Sequence, residues 1–459
     1  MTYSILGNSL NYLTTVIFQL GIAYKFGASA NVSDFIFILA GASFIITIFT
    51  STSQSEFLPI LKEDNEFSRS TFYNMFRWMG YGTLCHVLWI TIFLEFISKK
   101  NYIASDPWIL LWLIGFGVLQ YLCSQALLVS LVLGHKFLPY FAPSFPSLSA
   151  AICLFFVKDI MLAFAYLDIG FITELLLLLV IIGKIKINST RVDSRASTRM
   201  RGYKFYTLAQ YFVLSLASLI QKIVLSKNDS SSIAVFNYAD RGASVQQQIV
   251  SGTVLTSSMA TWARKNATRD GIALESLKNT FSTLLRILGT ICIVSITFGI
   301  NLIEIFYQHG NFRHSSSLAV LPVFYAMQFL NLFSTISGLW SNSFYARGKS
   351  TPVATFGILS GFLIIFFSLL IPVVRKPLAM SICVSLIACL TFLSRIFYSK
   401  YMADPRETKL WLQIGRNVCF FSLFMLILVY ISENFTSVIV KVCSSLIGLL
   451  LVWRLSIVK

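Results

Sequence analysis

The chain has 459 residues, of which 56% are hydrophobic, 15% aromatic and only 12% charged, with a formal net charge of +17. A soluble protein carries about a quarter charged residues, and apolar runs of about 20 residues recur here from end to end, so the composition excludes an ordinary soluble fold. It points to an all-α polytopic membrane protein. The runs lack the two-residue alternation of a transmembrane barrel, and the cations gather in alternate loops as positive-inside charge, so no nucleic-acid partner is expected.

In chain order, the apolar runs predict fourteen spans, near 4–24, 34–60, 77–98, 108–133, 138–157, 164–183, 205–226, 231–260, 281–305, 318–345, 353–374, 378–399, 411–432 and 436–456. The first lacks a basic leader and a small-residue cleavage site, so it is expected to remain as a helix. Several runs exceed 25 residues and must tilt, kink or protrude. Pro139, Pro143 and Pro146 mark the fifth as the one to bend.

The stretch "KIKINSTRVDSRASTRMRGYK" (184–204) holds seven basic residues and one acid. With 264–271, 347–352 and 399–409 it falls on one side of the membrane, which predicts that side, and both termini, to be cytoplasmic. It also divides the chain into an N-terminal lobe (1–183), a linker (184–204), a second lobe (205–400) and two C-terminal helices (401–459). The lobes are faintly alike. Asp34 corresponds to Asp240, and the 134–139 loop to the 347–352 loop, at offsets of 206 and 213 residues. Two six-helix lobes of the same sense imply a pseudo-two-fold axis along the membrane normal, with a cavity between them.

Polar groups within spans mark pathways, because a charge at mid-membrane costs about 2.5–3.5 kcal/mol. Span two holds "TSTSQSEF" (50–57), span seven Gln210, Gln221 and Lys222, and span eight Asp240, Arg241 and Gln246 to Gln248. Each has a plainer reading alongside: Asp240–Arg241 as a packing pair, Lys222 as a snorkelling cation, Asp34 as a cap behind Ser33. The cysteines lie in apolar spans without a CxxC pair and read as packing residues. His86, His135, His309 and His314 are scattered, no metal or phosphate-loop motif occurs, and the outer loops are too short for an active-site domain. No catalytic residue, metal or cofactor is expected; the sequence offers little to an enzyme.

Six stretches carry a resemblance: "FGASANVSDFIF" (26–37), "SEFLPIL" (55–61), "KFLPYFAPS" (136–144), "NYADR" (237–241), "IFYQHGNF" (305–312) and "FYARGKSTPV" (344–353). In this order they resemble the MurJ/MviN lipid II flippase family. The resemblance implies the multidrug/oligosaccharidyl-lipid/polysaccharide exporter fold and alternating access around a cationic cavity. It implies an undecaprenyl-diphosphate-linked saccharide as substrate, moved across the bacterial cytoplasmic membrane for envelope synthesis. Membrane lipids and envelope glycan-synthesis proteins are the implied partners, and coupling to protons, sodium or the membrane potential stays open.

Asp34 and Arg241 match family positions, whereas Leu13, Gln19, Thr47 and Ile48 stand where the family places arginines. Lys25 and Lys222 are the available replacements. The expected substrate set is therefore Arg241, Lys222, Lys25 and Gln221, with Asp34, Asp240, Pro139 and Pro352 as structural or gating residues. The missing cations shift the expected cargo from lipid II towards an O-antigen, capsule or exopolysaccharide unit. A small-molecule antiporter of the same fold, and a membrane glycosyltransferase or polymerase, are the alternatives.

Overall fold

The computed structural model describes residues 2–64, 69–97, 107–132, 137–182, 194–250, 274–345, 349–402, 405–435 and 437–457, together with Val254, Leu255, Ser258, Trp262 and Arg347. Among these residues the structure is helical, with no strand. Ten of the described helices are long and apolar enough to cross a membrane. The basic stretches 184–193 and 264–271, His135 and the side chains of Gln246 to Gln248 lie outside the described residues.

The first eight helices are α1 (Thr2–Phe26), α2 (Ala30–Asp64), α3 (Arg69–Ile92), α4 (Pro107–Val132), α5 (Leu138–Phe141), α6 (Ser144–Leu154), α7 (Ala163–Ile182) and α8 (Ser194–Leu225). They are followed by α9 (Ser232–Val250), α10 (Leu274–Thr297), α11 (Gly299–Tyr307), α12 (His314–Tyr345), α13 (Ser350–Leu370), α14 (Pro377–Met402), α15 (Pro405–Asn434) and α16 (Val438–Ser456). The chain forms two compact units, residues 1–234 with 350–365, and residues 235–349 with 366–459.

In the first unit, α2 packs on α3, α4 and α8, while α7 packs on α4 and α6. Phe35, Phe164, Phe116 and Phe171 knit α2, α7 and α4 through ring contacts of 5.0, 5.9 and 5.6 Å. The glycine turn after α1 is a left-handed stop: Gly27 has φ 64° and its N–H donates to Ala23 O at 2.9 Å. A residue without Cβ takes that conformation at little cost. The fifth run does break at its prolines, between α5 and α6, with Pro143 preceding the second piece. Gly170 of α7 faces the Pro146 backbone so closely that a Cβ there would overlap it. α8 begins at Ser194, inside the basic stretch, so the second half of that stretch is helical. With 35 residues, α2 is about 52 Å long, well beyond the ~30 Å hydrocarbon layer.

In the second unit, α12 packs on α14, α11 and α10, and the α15–α16 pair packs on α10. The ninth run also divides, at Phe298, where Gly299 lets α11 approach Tyr325 of α12; a Cβ on Gly299 would sit 2.6 Å from that ring. Arg347, just beyond α12, pairs with Glu407 of α15 at 2.6 Å, and Trp411 Nε1 donates to the same carboxylate oxygen at 3.2 Å. Between α12 and α14, Arg395 donates to Ser337 O and Ser341 Oγ, both at 3.2 Å, and lies 5.4 Å from the Trp340 ring.

Candidate functional site

The helix that carries Asp240 and Arg241 starts from a well-fixed turn. Ser231 Oγ donates to Asp229 Oδ2 at 2.8 Å and Ser232 N to Asp229 O at 3.1 Å. The Ser231 hydroxyl holds the Asp229 carboxyl below the usual carboxylate range. Two residues further on, Ala234 N donates to Ser33 Oγ at 3.2 Å. Ser33 therefore satisfies one of the unpaired first-turn N–H groups of α9, a role separate from any cap on its own helix.

In the second unit, two of the motifs singled out in the sequence meet. Tyr238 of α9 is fully buried and packs on Tyr307 and Phe312, at ring separations of 5.1 and 5.2 Å; Tyr307 and Phe312 are 5.7 Å apart. The chain can fold Phe312 back because Gly310 takes φ 59° and Phe312 N donates to His309 O at 3.2 Å. Tyr307 lies within electrostatic reach of both Arg241 and Asp240. Among the described residues Asp240 and Arg241 form no ion pair, so the packing-pair reading is not realised here. Arg241 Nε is buried and has no hydrogen-bond partner among the described residues. A buried guanidinium donor left unmet costs about 1–3 kcal/mol, and an anion would meet it.

The first unit holds the other expected residues. Lys25 Nζ donates to Leu154 O at 2.6 Å, at the end of α6, and lies 5.9 Å from the Phe26 ring. Lys222 donates to Ser218 Oγ at 3.4 Å, and Gln221 is buried beside it on α8. Asp34 lies in the second turn of α2 and is partly buried. Pro139 is buried in α5, and Pro352 sits in the first turn of α13. Of the positions without the family's arginines, Leu13 and Thr47 are exposed, whereas Gln19 and Ile48 are buried.

Three titratable side chains in this unit were not singled out in the sequence for any site. Glu174 is buried in α7 close to Cys123 of α4, whose Sγ donates to Phe171 O at 3.2 Å. Asp168, two turns earlier, lies against Gly115, where a Cβ would come within 2.8 Å of Oδ2. His86 of α3 is buried with Nε2 3.0 Å from Leu113 O, in space left by Gly117. An acid in the middle of an apolar run such as "GFITELLLLLV" (170–180) was the available signal for Glu174.

The family model for the lipid II flippase MurJ matches residues 22–450. The chain belongs to the MurJ lipid II flippase family. Among solved structures, a lipid II flippase MurJ in an inward closed conformation superposes with a TM-score of 0.71 at 16% identity, covering 99% of this chain and 98% of that one. A MATE in complex with MaL6 follows with a TM-score of 0.63 at 12% identity, over 87% and 96% of the two chains. A MOP superfamily transporter from Pyrococcus furiosus, described by the reverse polarity of its binding pocket, gives 0.60 at 12% identity over 86% and 95%. At such identities these likenesses show the fold, which is that of the MurJ and MATE transporters. A search of curated proteins finds no match.

Proposed function

We propose that this chain carries an undecaprenyl-diphosphate-linked saccharide across the bacterial cytoplasmic membrane by alternating access, making and breaking no covalent bond. Membership of the MurJ family supports a flippase of lipid-linked saccharides. The observation that carries the molecular reading is Arg241, whose buried Nε lacks a partner on a helix backed by the Tyr238–Tyr307–Phe312 cluster. A diphosphate must cross hydrocarbon while its polyprenyl tail stays in lipid. A planar guanidinium forks onto phosphate oxygens, and in low dielectric that charge-assisted pair is strong. The sequence adds Lys25, Lys222 and Gln221 as further polar contacts in this reading, and Asp34 and Asp240 as structural or gating residues.

Both termini face the cytoplasm in this proposal, as the basic loops require. No cofactor is called for, because each negative charge moved outward gains about 2.3 kcal/mol per 100 mV of inside-negative potential. The cargo is a surface-polysaccharide unit, since four family arginine positions are occupied by Leu13, Gln19, Thr47 and Ile48. The test is Arg241→Ala, expected to abolish export of the lipid-linked saccharide while membrane abundance stays normal. Arg241→Lys should restore only part, because a point charge replaces a bidentate fork. Full export by the alanine variant would remove Arg241 from the substrate path.

A further inference from the structure

The last turn of α16 gathers cations from three helices of the second unit. Arg286 of α10 donates from Nε to Ser456 Oγ at 2.9 Å, and its guanidinium lies 5.5 Å from the Trp453 ring. Asn417 of α15 donates from Nδ2 to Leu455 O at 2.7 Å, which brings Arg416 to the same level. Arg454 stands in that turn as well. The side chains of Arg286, Arg416, Trp453 and Arg454 are all exposed.

No acid offsets these charges among the described residues. α16 contains none. The nearest acids along the other two helices are Glu275, eleven residues from Arg286, and Glu407, nine from Arg416. Glu407 is already engaged by Arg347.

The depth of the cluster is set by helix length. With 19 residues, α16 measures about 28 Å, close to the thickness of the hydrocarbon layer. Its two ends therefore lie at the two membrane boundaries, and the cluster sits at one of them. An exposed tryptophan belongs at that level, with its ring in the acyl region and its N–H at the headgroups. The arginines there are not spread along the helices but pinned to one turn, two through side-chain bonds on their own or the adjacent residue.

We infer that Arg286, Arg416, Trp453 and Arg454 form a binding site for the phosphodiester headgroup of an anionic phospholipid. Arg286 is presented by Trp453 and Ser456, which use its ring-facing plane and Nε and leave its terminal nitrogens to fork onto phosphate oxygens. Arg454 and Arg416 add charge at the same level, and the exposed Trp453 ring covers the first carbons of the lipid chains. The site is independent of the transport proposal and requires only that the chain spans a membrane.

The full-length protein, purified in detergent, should be titrated with phosphatidylglycerol and, separately, with phosphatidylcholine, and bound lipid counted by native mass spectrometry. Phosphatidylglycerol should be retained in preference. At about 1 kcal/mol per arginine near a membrane surface, each charge contributes roughly 5-fold, so R286Q/R454Q should weaken binding by roughly 30-fold. R286K/R454K, which keeps the charges, should retain most of it. If R286Q/R454Q does not fold, Arg454→Gln alone serves, since that exposed side chain makes no hydrogen bond or ion pair among the described residues, and a loss of about 5-fold is expected. Equal retention of the two lipids, or unchanged affinity in the glutamine variants, would overturn the assignment.

Discussion

Lys25 Nζ meets the main-chain oxygen of Leu154 at 2.6 Å, joining the end of α1 to the end of α6 across 129 residues of sequence. The carbonyls of a last helical turn have no partner within the helix, and a cation there also complements the helix dipole. A hydrogen bond with a charged partner contributes about 1.5–3 kcal/mol. Lys25→Met should therefore lower the stability of the protein by an amount in that range, read as a fall in the thermal unfolding midpoint in detergent. An unchanged midpoint would leave the bond without energetic weight.

Gly117 and His86 make a second pair whose coupling can be measured. A methyl at position 117 would overlap the imidazole, whose Nε2 is held 3.0 Å from Leu113 O. Gly117→Ala should cost about 1–3 kcal/mol, as overpacking in a filled interior does. His86→Ala opens the space that the new methyl needs. The double variant should then lose less stability than the sum of the single ones, by more than about 0.5 kcal/mol. Strict additivity would mean that the two residues do not share that space.

The cargo proposal has its own consequence in cells. Losing several charge-assisted bonds, each about 1.5–3 kcal/mol, would cripple a site built around them. This protein should fail to sustain growth when an essential lipid II flippase is depleted, yet support display of a surface polysaccharide encoded beside it. Membrane expression must be confirmed in both strains. Robust rescue of the depleted cells would instead make Lys25, Lys222 and Arg241 a sufficient set of cations.

Much of the fold is written in local chemistry. The stop after α1 is legible in "KFGAS" (25–29) because only glycine takes φ 64° freely, and the break between α5 and α6 is legible because proline removes a helical donor. The division of the ninth run at Phe298 is not, since its cause is the approach of Tyr325, distant in sequence. Among the site residues, Arg241 stands out as a charge within a predicted span, whereas the packing of Tyr238 beside it on Tyr307 and Phe312 joins segments distant in sequence. The bond between Lys25 and Leu154, and the burial of Glu174 against Cys123, depend on which helix faces which. A count of polar residues per span carries no such information.

The turn at His309 and Gly310 places Phe312 on Tyr238, three residues from Arg241, through rings that exclude solvent. These ring contacts tie the turn to the helix that carries Arg241. A molecule that grips residues 308 to 311 from the aqueous side thus has a mechanical hold on the helix of Arg241 without ever entering the path of the cargo. An antibody loop or a cyclic peptide against that turn would act as a brake.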